Sequence, residues 1–234
     1  AVNLCRLPLS LALIFSGFVK AIDPLGTQYK IGDYLEALHL EQYAPSWATL
    51  TTSVMLSAVE FCLGVFLLFA IRRRKVSRVI VAFMAIMTAI TVWLWGWEPI
   101  KDCGCFGDAI HLTNGETLLK NLLLLAMAAV VAWQPFCMVR FISKTNQWIV
   151  INYTLLFILV SSALSLWYLP PFDFRPYHIG ADIRKGMEIP AGAKQPKFET
   201  TFILEKGGVR KEFTLDNYPD STWTFIDSKT VEVE

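Results

Sequence analysis

Five long apolar stretches separated by short polar turns set the outline of this chain. Leu4–Ile22, Trp47–Ile71, Val79–Trp97, Glu116–Phe136 and Trp148–Leu169 each have about the length a helix needs to cross a hydrocarbon core, once long polar side chains snorkel at the ends. Between the first two, Ile31, Tyr34, Leu35 and Leu38 recur at the i, i+3, i+4, i+7 spacing of one helical face. That spacing predicts a short amphipathic helix lying in the interface, with Asp33 as its candidate cap, Ala44-Pro45 ending it, and a place from which it could roof a site. Thr113, three residues before Glu116, is a capping-box spacing at the head of the fourth span. After Pro170-Pro171 the pattern changes. Residues 170–197 are rich in Pro and Gly and read as an extended linker. Strand-like runs follow at Phe198–Glu205 and Val209–Leu215, around the hairpin signal Lys206-Gly207-Gly208, with Trp223–Ile226 and Thr230–Glu234 as further short strands. The expected fold class is an all-α polytopic membrane protein with a small β-rich tail. Its divisions are a membrane domain over 1–147, a fifth transmembrane helix over 148–169, the linker, and the tail over 198–234. A tail of that size without cysteine is marginal alone, so it is expected to belong to a longer domain or to rest on a partner.

Composition supports the membrane assignment: 54% of the 234 residues are hydrophobic and 18% charged, with a mean hydropathy of +0.45. A formal net charge of +1 without a concentrated basic face excludes a nucleic-acid binder. Charge placement also gives an orientation. Arg72-Arg73-Arg74-Lys75 with Arg78, and later Arg140 with Lys144, place two turns in the cytoplasm by the positive-inside rule. The loop after the third span and the tail then lie on the opposite side, which for a bacterial inner-membrane protein is the oxidising periplasm. Trp93, Trp95 and Trp97 fit an aromatic belt at that side, although they could also line a ring-binding pocket. A signal peptide is the rival for the first span, but no small-X-small pattern follows Ile22, so the segment is read as part of the mature protein, with Lys20 snorkelling to the outer headgroups.

The candidate chemistry sits between spans three and four, in Lys101-Asp102-Cys103-Gly104-Cys105-Phe106-Gly107-Asp108. Two thiols one residue apart can close on each other because Gly104 removes the steric objection to a tight ring, and a strained disulfide exchanges with partner thiols more readily than a structural one. Lys101 and Lys120 would favour a thiolate there, whereas Asp102 and Asp108 would oppose it. Cys5, Cys62 and Cys137 lie in or beside apolar segments and read as packing residues. Glu60, an ionisable group near the middle of the second span, is expected to face the protein interior close to Asn121 or Lys120. Two other readings of the loop stay open. Cys103, Cys105 and His111 with Asp102 or Asp108 would supply metal ligands, though at no familiar zinc spacing. Alternatively the loop is a stabilised turn in a non-enzymatic accessory or scaffold subunit of an envelope complex.

Phe15-Ser16-Gly17-Phe18-Val19-Lys20-Ala21-Ile22-Asp23-Pro24, Glu60, the string from Asp102 to Asp108, Leu112-Thr113-Asn114 and Lys120-Asn121 together resemble the DoxX/MauE-like membrane proteins. The likeness runs from about Leu4 to Phe136. The fifth helix and Asp173-Phe174-Arg175-Pro176-Tyr177 look like a bacteroidal subgroup. The resemblance implies a four-helix transmembrane bundle and a link to disulfide formation in exported proteins beside a thioredoxin-like partner. It further implies a role similar to proteins that pass electrons from thiols to a quinone, although those carry Cys-X-X-Cys pairs where this chain has Cys-X-Cys. The expected activity is thiol–disulfide exchange by Cys103 and Cys105, with Gly104, Gly107, Asp102, Asp108, Glu60, Lys20, Lys120 and Asn121 in support.

Overall fold

The computed structural model describes residues 2–40, 43–97, 100, 103–107, 109–110, 112–168, 172, 180–187, 197–206, 209–214, 217, 219 and 222–233. The chain divides into two compact units, Ala1–Ala181 and Asp182–Glu234.

In the first unit the helices are α1 (Val2–Ile22), α2 (Pro24–Ala37), α3 (Ser46–Leu68), α4 (Arg73–Trp97), α5 (Asn114–Trp133) and α6 (Gln147–Trp167). All but α2 are long and apolar enough to cross a membrane. The amphipathic helix is present, but its cap differs from the expected one. Asp23 accepts from the Gly26 backbone N–H at 3.0 Å and Pro24 opens the first turn, whereas Asp33 lies inside the helix. At the head of α5, Thr113 and Glu116 form the reciprocal capping box that their spacing predicts. The second span ends at Leu68, short of Ile71, because the chain reverses through Ala70 and Arg72 in left-handed backbone conformations. Pro135 closes the fourth span by opening a 3-10 turn over Pro135–Cys137.

A four-helix bundle of α1, α3, α4 and α5 carries the main core, with Leu9, Leu13, Leu63, Leu67, Ile80, Met84, Ala128 and Val131 packed together. Helix α6 lies outside it against α1 and α3, where Phe157 stacks on Phe18 and Phe61 at 6.2 and 5.3 Å between ring centroids. The α1–α3 crossing is the tightest. A Cβ on Gly64 would come within 2.7 Å of the Ile14 backbone nitrogen, and one on Gly17 would fall on the backbone of Phe61. Without a hydrophobic drive between helices in lipid, such close backbone approach is what holds spans together. Trp47, Trp95, Trp97 and Trp167 at one end, and Trp133 and Trp148 at the other, are exposed as belt residues should be, while Trp93 is half-buried. At the Arg-rich end, the Arg6 guanidinium is buried and donates to the Val139 carbonyl at 2.6 Å, and Arg73 donates to the carbonyls of Phe136 and Met138. These bonds satisfy backbone that has left helical pairing.

The second unit holds a short helix, α7 (Ile183–Gly186), and an antiparallel sheet of β1 (Lys197–Lys206), β2 (Val209–Thr214) and β3 (Thr224–Val233) in the order β2-β1-β3. The hairpin expected around residues 207–208 is present, with Lys206 opposite Val209, although the turn residues themselves lie outside the described set. The two short strands expected after Trp223 are one strand. Thr224–Val233 pairs with β1 from Lys197 to Glu205, with a register irregularity between Ile203 and Leu204, despite its polar centre at Asp227-Ser228.

Candidate functional site

Helix α1 stops inside the bundle, and that early stop creates the site. The Ser53 hydroxyl donates to the Pro24 carbonyl at 2.7 Å, and the Gln28 side chain donates to the Ser46 carbonyl at 3.0 Å. The break at Asp23-Pro24 is therefore level with the second turn or so of α3, and α2 continues toward the head of that helix. Lys20 lies deeper still. It does not snorkel. Its ammonium is buried and donates to Glu60 Oε2 at 2.8 Å, both side chains being 7% exposed. Glu60 is about 20 Å along α3 from Ser46 at the helical rise per residue, too deep for either charge to reach water alone. Glu60 thus faces inward as expected, but its partner is Lys20. Asn121 donates instead to the Thr91 hydroxyl at 3.1 Å, and the Lys120 ammonium sits 4.1 Å from the centre of the Phe106 ring. All four residues, with Cys105, line one small cavity of about 30 Å³.

The thiol turn folds back between the helices to meet this group. Ser16, one turn before Lys20 on α1, donates to the Cys105 carbonyl at 2.5 Å, and the Phe106 ring packs on Phe15 at 5.7 Å. Irregular backbone at this depth is tolerable where protein covers it. Gly104 and Gly107 adopt φ of +62° and +55°, which a side chain would strain, and Gly107 N–H donates to the Gly104 carbonyl at 3.0 Å to close the turn. Cys103 and Cys105 are half-buried, and their sulfurs lie 2.8 Å apart. From α2, the Tyr34 hydroxyl donates to the Cys103 carbonyl at 2.9 Å and reaches its sulfur at 3.6 Å. Tyr34 was legible in the sequence only as one apolar-face position of α2. Ser16 carried no signal beyond its place in the α1 motif.

The two sulfurs are not equivalent. The Cys103 thiol, hydrogen-bonded to its neighbour, holds Cys105 down to about 6 against the opposing effect of burial; Lys120 and then Lys20 add to the lowering and Glu60 opposes it. The same bond pushes Cys103 far up, with burial and the Cys105 charge adding, while the Tyr34 hydroxyl and Lys120 work the other way. Cys105 is also the more deeply buried. A second cavity of about 190 Å³ opens beside both sulfurs and Lys20, walled by Ile31, Leu56, Met87 and Ile90. Helices α3 and α4 touch only sparsely there, each packing chiefly on another neighbour.

Lys101, Asp102, Asp108 and His111 lie outside the described residues. Among the described residues no group of three or more His, Cys, Asp and Glu gathers as a metal site would, and two lysine ammoniums beside the sulfurs oppose a cation. Cys5 and Cys62 are half-buried, Cys5 against the bundle core, whereas Cys137 is exposed on the 3-10 turn and does not pack as expected.

Residues 1–134, which contain the whole of this arrangement, match the family model described as methylamine utilisation protein MauE. The chain belongs to the MauE family. Residues 198–234 match a domain of unknown function, DUF8463. No curated protein and no solved structure matches the chain.

Proposed function

We propose that this MauE-family chain is a thiol–disulfide exchange protein of the bacterial inner membrane, with Cys103 and Cys105 as the exchanging pair and an exported or thioredoxin-like thiol protein as the partner. The observation that carries this reading is the contact of the two sulfurs at 2.8 Å in a turn pinned to α1 and α2, with Cys105 beside lysine ammoniums and Cys103 beside the Tyr34 hydroxyl. A thiolate of a reduced partner attacks the Cys103 sulfur. The Cys103–Cys105 bond breaks and Cys105 leaves as thiolate, the better leaving group because its pKa is low. The partner's second thiol then attacks the mixed disulfide. The partner departs oxidised by two electrons, Cys103 takes one proton, and one proton goes to water. Re-oxidation needs an acceptor. The apolar cleft walled by α2, α3 and α4 suits a quinone ring, with Lys20 and Tyr34 at hand for a carbonyl oxygen and both sulfurs at its end. Such a ring would accept the two electrons as the Cys103–Cys105 bond re-forms, taking the Cys103 proton and one proton from water.

Alkylation in isolated membranes tests the reading. Cys103 and Cys105 should resist a maleimide until reductant is added, and the reduced pair should then be labelled at a rate set by the Cys105 thiolate. Because the Cys105 pKa is depressed below the ordinary thiol value, its thiolate persists above about pH 6 and the rate should fall as pH drops through that value. A pair that is reduced from the outset, with alkylation rising only near pH 9, would leave the chain as an accessory subunit.

The same function requires the thiol turn and the tail to face the periplasm. Lys75 and Ser228 are both exposed and serve as reporters. In spheroplasts of a Cys137→Ser strain, an impermeant maleimide should label Ser228→Cys and not Lys75→Cys. The reverse pattern inverts the topology.

A further inference from the structure

One buried ion pair has a geometry that thiol exchange alone does not require. Lys20 and Glu60 meet at 2.8 Å with their side chains 7% exposed, and Lys20 lines two cavities that reach Cys105. The Ser16 hydroxyl, one turn along α1, holds the Cys105 carbonyl, so Lys20 and Cys105 are registered by the same helix. Among the described residues, Lys20 from α1, Glu60 from α3 and Lys120 from α5 are the charged groups facing Cys105, with Tyr34 and Lys30 from α2 around Cys103 and Gly104. Helix α4 contributes Phe83, Met84 and Met87, none of them charged.

We propose that the Lys20–Glu60 pair sets the redox poise of the Cys103–Cys105 couple: the Lys20 ammonium is balanced by Glu60 in the disulfide form and by Glu60 together with the Cys105 thiolate in the reduced form. This rests on the exchange reading above. The step is a disulfide plus two electrons and one proton giving a Cys103 thiol and a Cys105 thiolate. A partner dithiol supplies the electrons and the proton, becomes a disulfide, and releases its second proton to water. Both members of the pair are positioning residues, and their effects oppose each other. Removing the Lys20 charge leaves the new thiolate facing Glu60 without its cation and disfavours reduction. Removing the Glu60 charge leaves Lys20 uncompensated in the disulfide form, and reduction relieves that cost by supplying a thiolate.

The test uses the full chain in lipid nanodiscs equilibrated with mixtures of reduced and oxidised dithiothreitol at pH 7, the state of the pair being read as an alkylation mass shift. Lys20→Met should lower the equilibrium constant for reduction at least tenfold and Glu60→Gln should raise it at least tenfold, while Lys20→Arg stays within threefold of the parent. Loosened packing would move both variants in the same direction, so shifts of one sign, or none, overturn the proposal. Should the variants fail to fold, the parent protein still decides. Between pH 7 and 8 its reduction should take up one proton per two electrons, and uptake of two would show that no thiolate forms. If the parent forms no Cys103–Cys105 disulfide in any mixture, it is the exchange reading that falls.

Discussion

Cys105→Ser should accumulate a partner on Cys103 as a mixed disulfide, visible on a non-reducing gel and dissolved by reductant, at a level at least tenfold above Cys103→Ser. The asymmetry follows from position. Cys103 carries its sulfur on the side of α2, beside Tyr34, whereas Cys105 is tied to Ser16 and faces the buried charges. With Cys105 gone, the Cys103 thiolate attacks the disulfide of an oxidised partner and one partner sulfur leaves as thiolate; the chain's own resolving thiol is absent, so only that partner thiolate can undo the adduct. With Cys103 gone, the remaining sulfur belongs to the residue tied to Ser16 and faces Lys20, Glu60 and Lys120 in the small cavity, so a protein thiol is expected to meet it less readily. Predominant trapping on Cys105 would reverse the roles of the two sulfurs. No adduct in either variant, with disulfide formation in exported proteins unchanged, would favour the scaffold reading.

Gly17→Val should be the most damaging single change to the fold outside the thiol turn. A side chain at Gly17 meets the Phe61 backbone, which cannot rotate away as a flexible side chain would, so α1 must move off α3. Overpacking of this kind costs about 1–3 kcal/mol, and here it also pulls Lys20, less than one turn further on, away from Glu60 next to Phe61. Breaking a buried pair in that way adds a cost of about 3–5 kcal/mol. Gly32→Ala is the control, because nothing lies within 4 Å of the position a Cβ would take on α2. Thermal unfolding of the two variants in the same detergent should show a loss of several degrees, or of folded protein altogether, for Gly17→Val and no loss for Gly32→Ala. Equal stability of both would mean that the α1–α3 crossing is looser than its geometry.

The number of spans, their rough limits, the capping box at Thr113 and Glu116, and the thiol turn with its two glycines were all readable from the order of residues. Each depends on neighbours a few residues apart: apolar run length, hydrogen-bond reach at a helix end, and the backbone freedom that Gly104 and Gly107 need. Glu60 was also legible as inward-facing, since an ionisable group at that depth has nowhere else to go. Its partner was not. Lys20 stands two residues before the end of an apolar run, where a lysine ordinarily reaches for headgroups, and nothing local says that the run ends within the bundle. Long-range contacts settle it: Ser53 holds Pro24 and Gln28 reaches Ser46, which sets the depth of the α1–α2 break and brings Lys20 against Glu60. The inequality of Cys103 and Cys105 has the same origin. Two cysteines flanking one glycine are nearly interchangeable in sequence, and they differ here because α1 presents Ser16 and a lysine to one sulfur while α2 presents a tyrosine hydroxyl to the other.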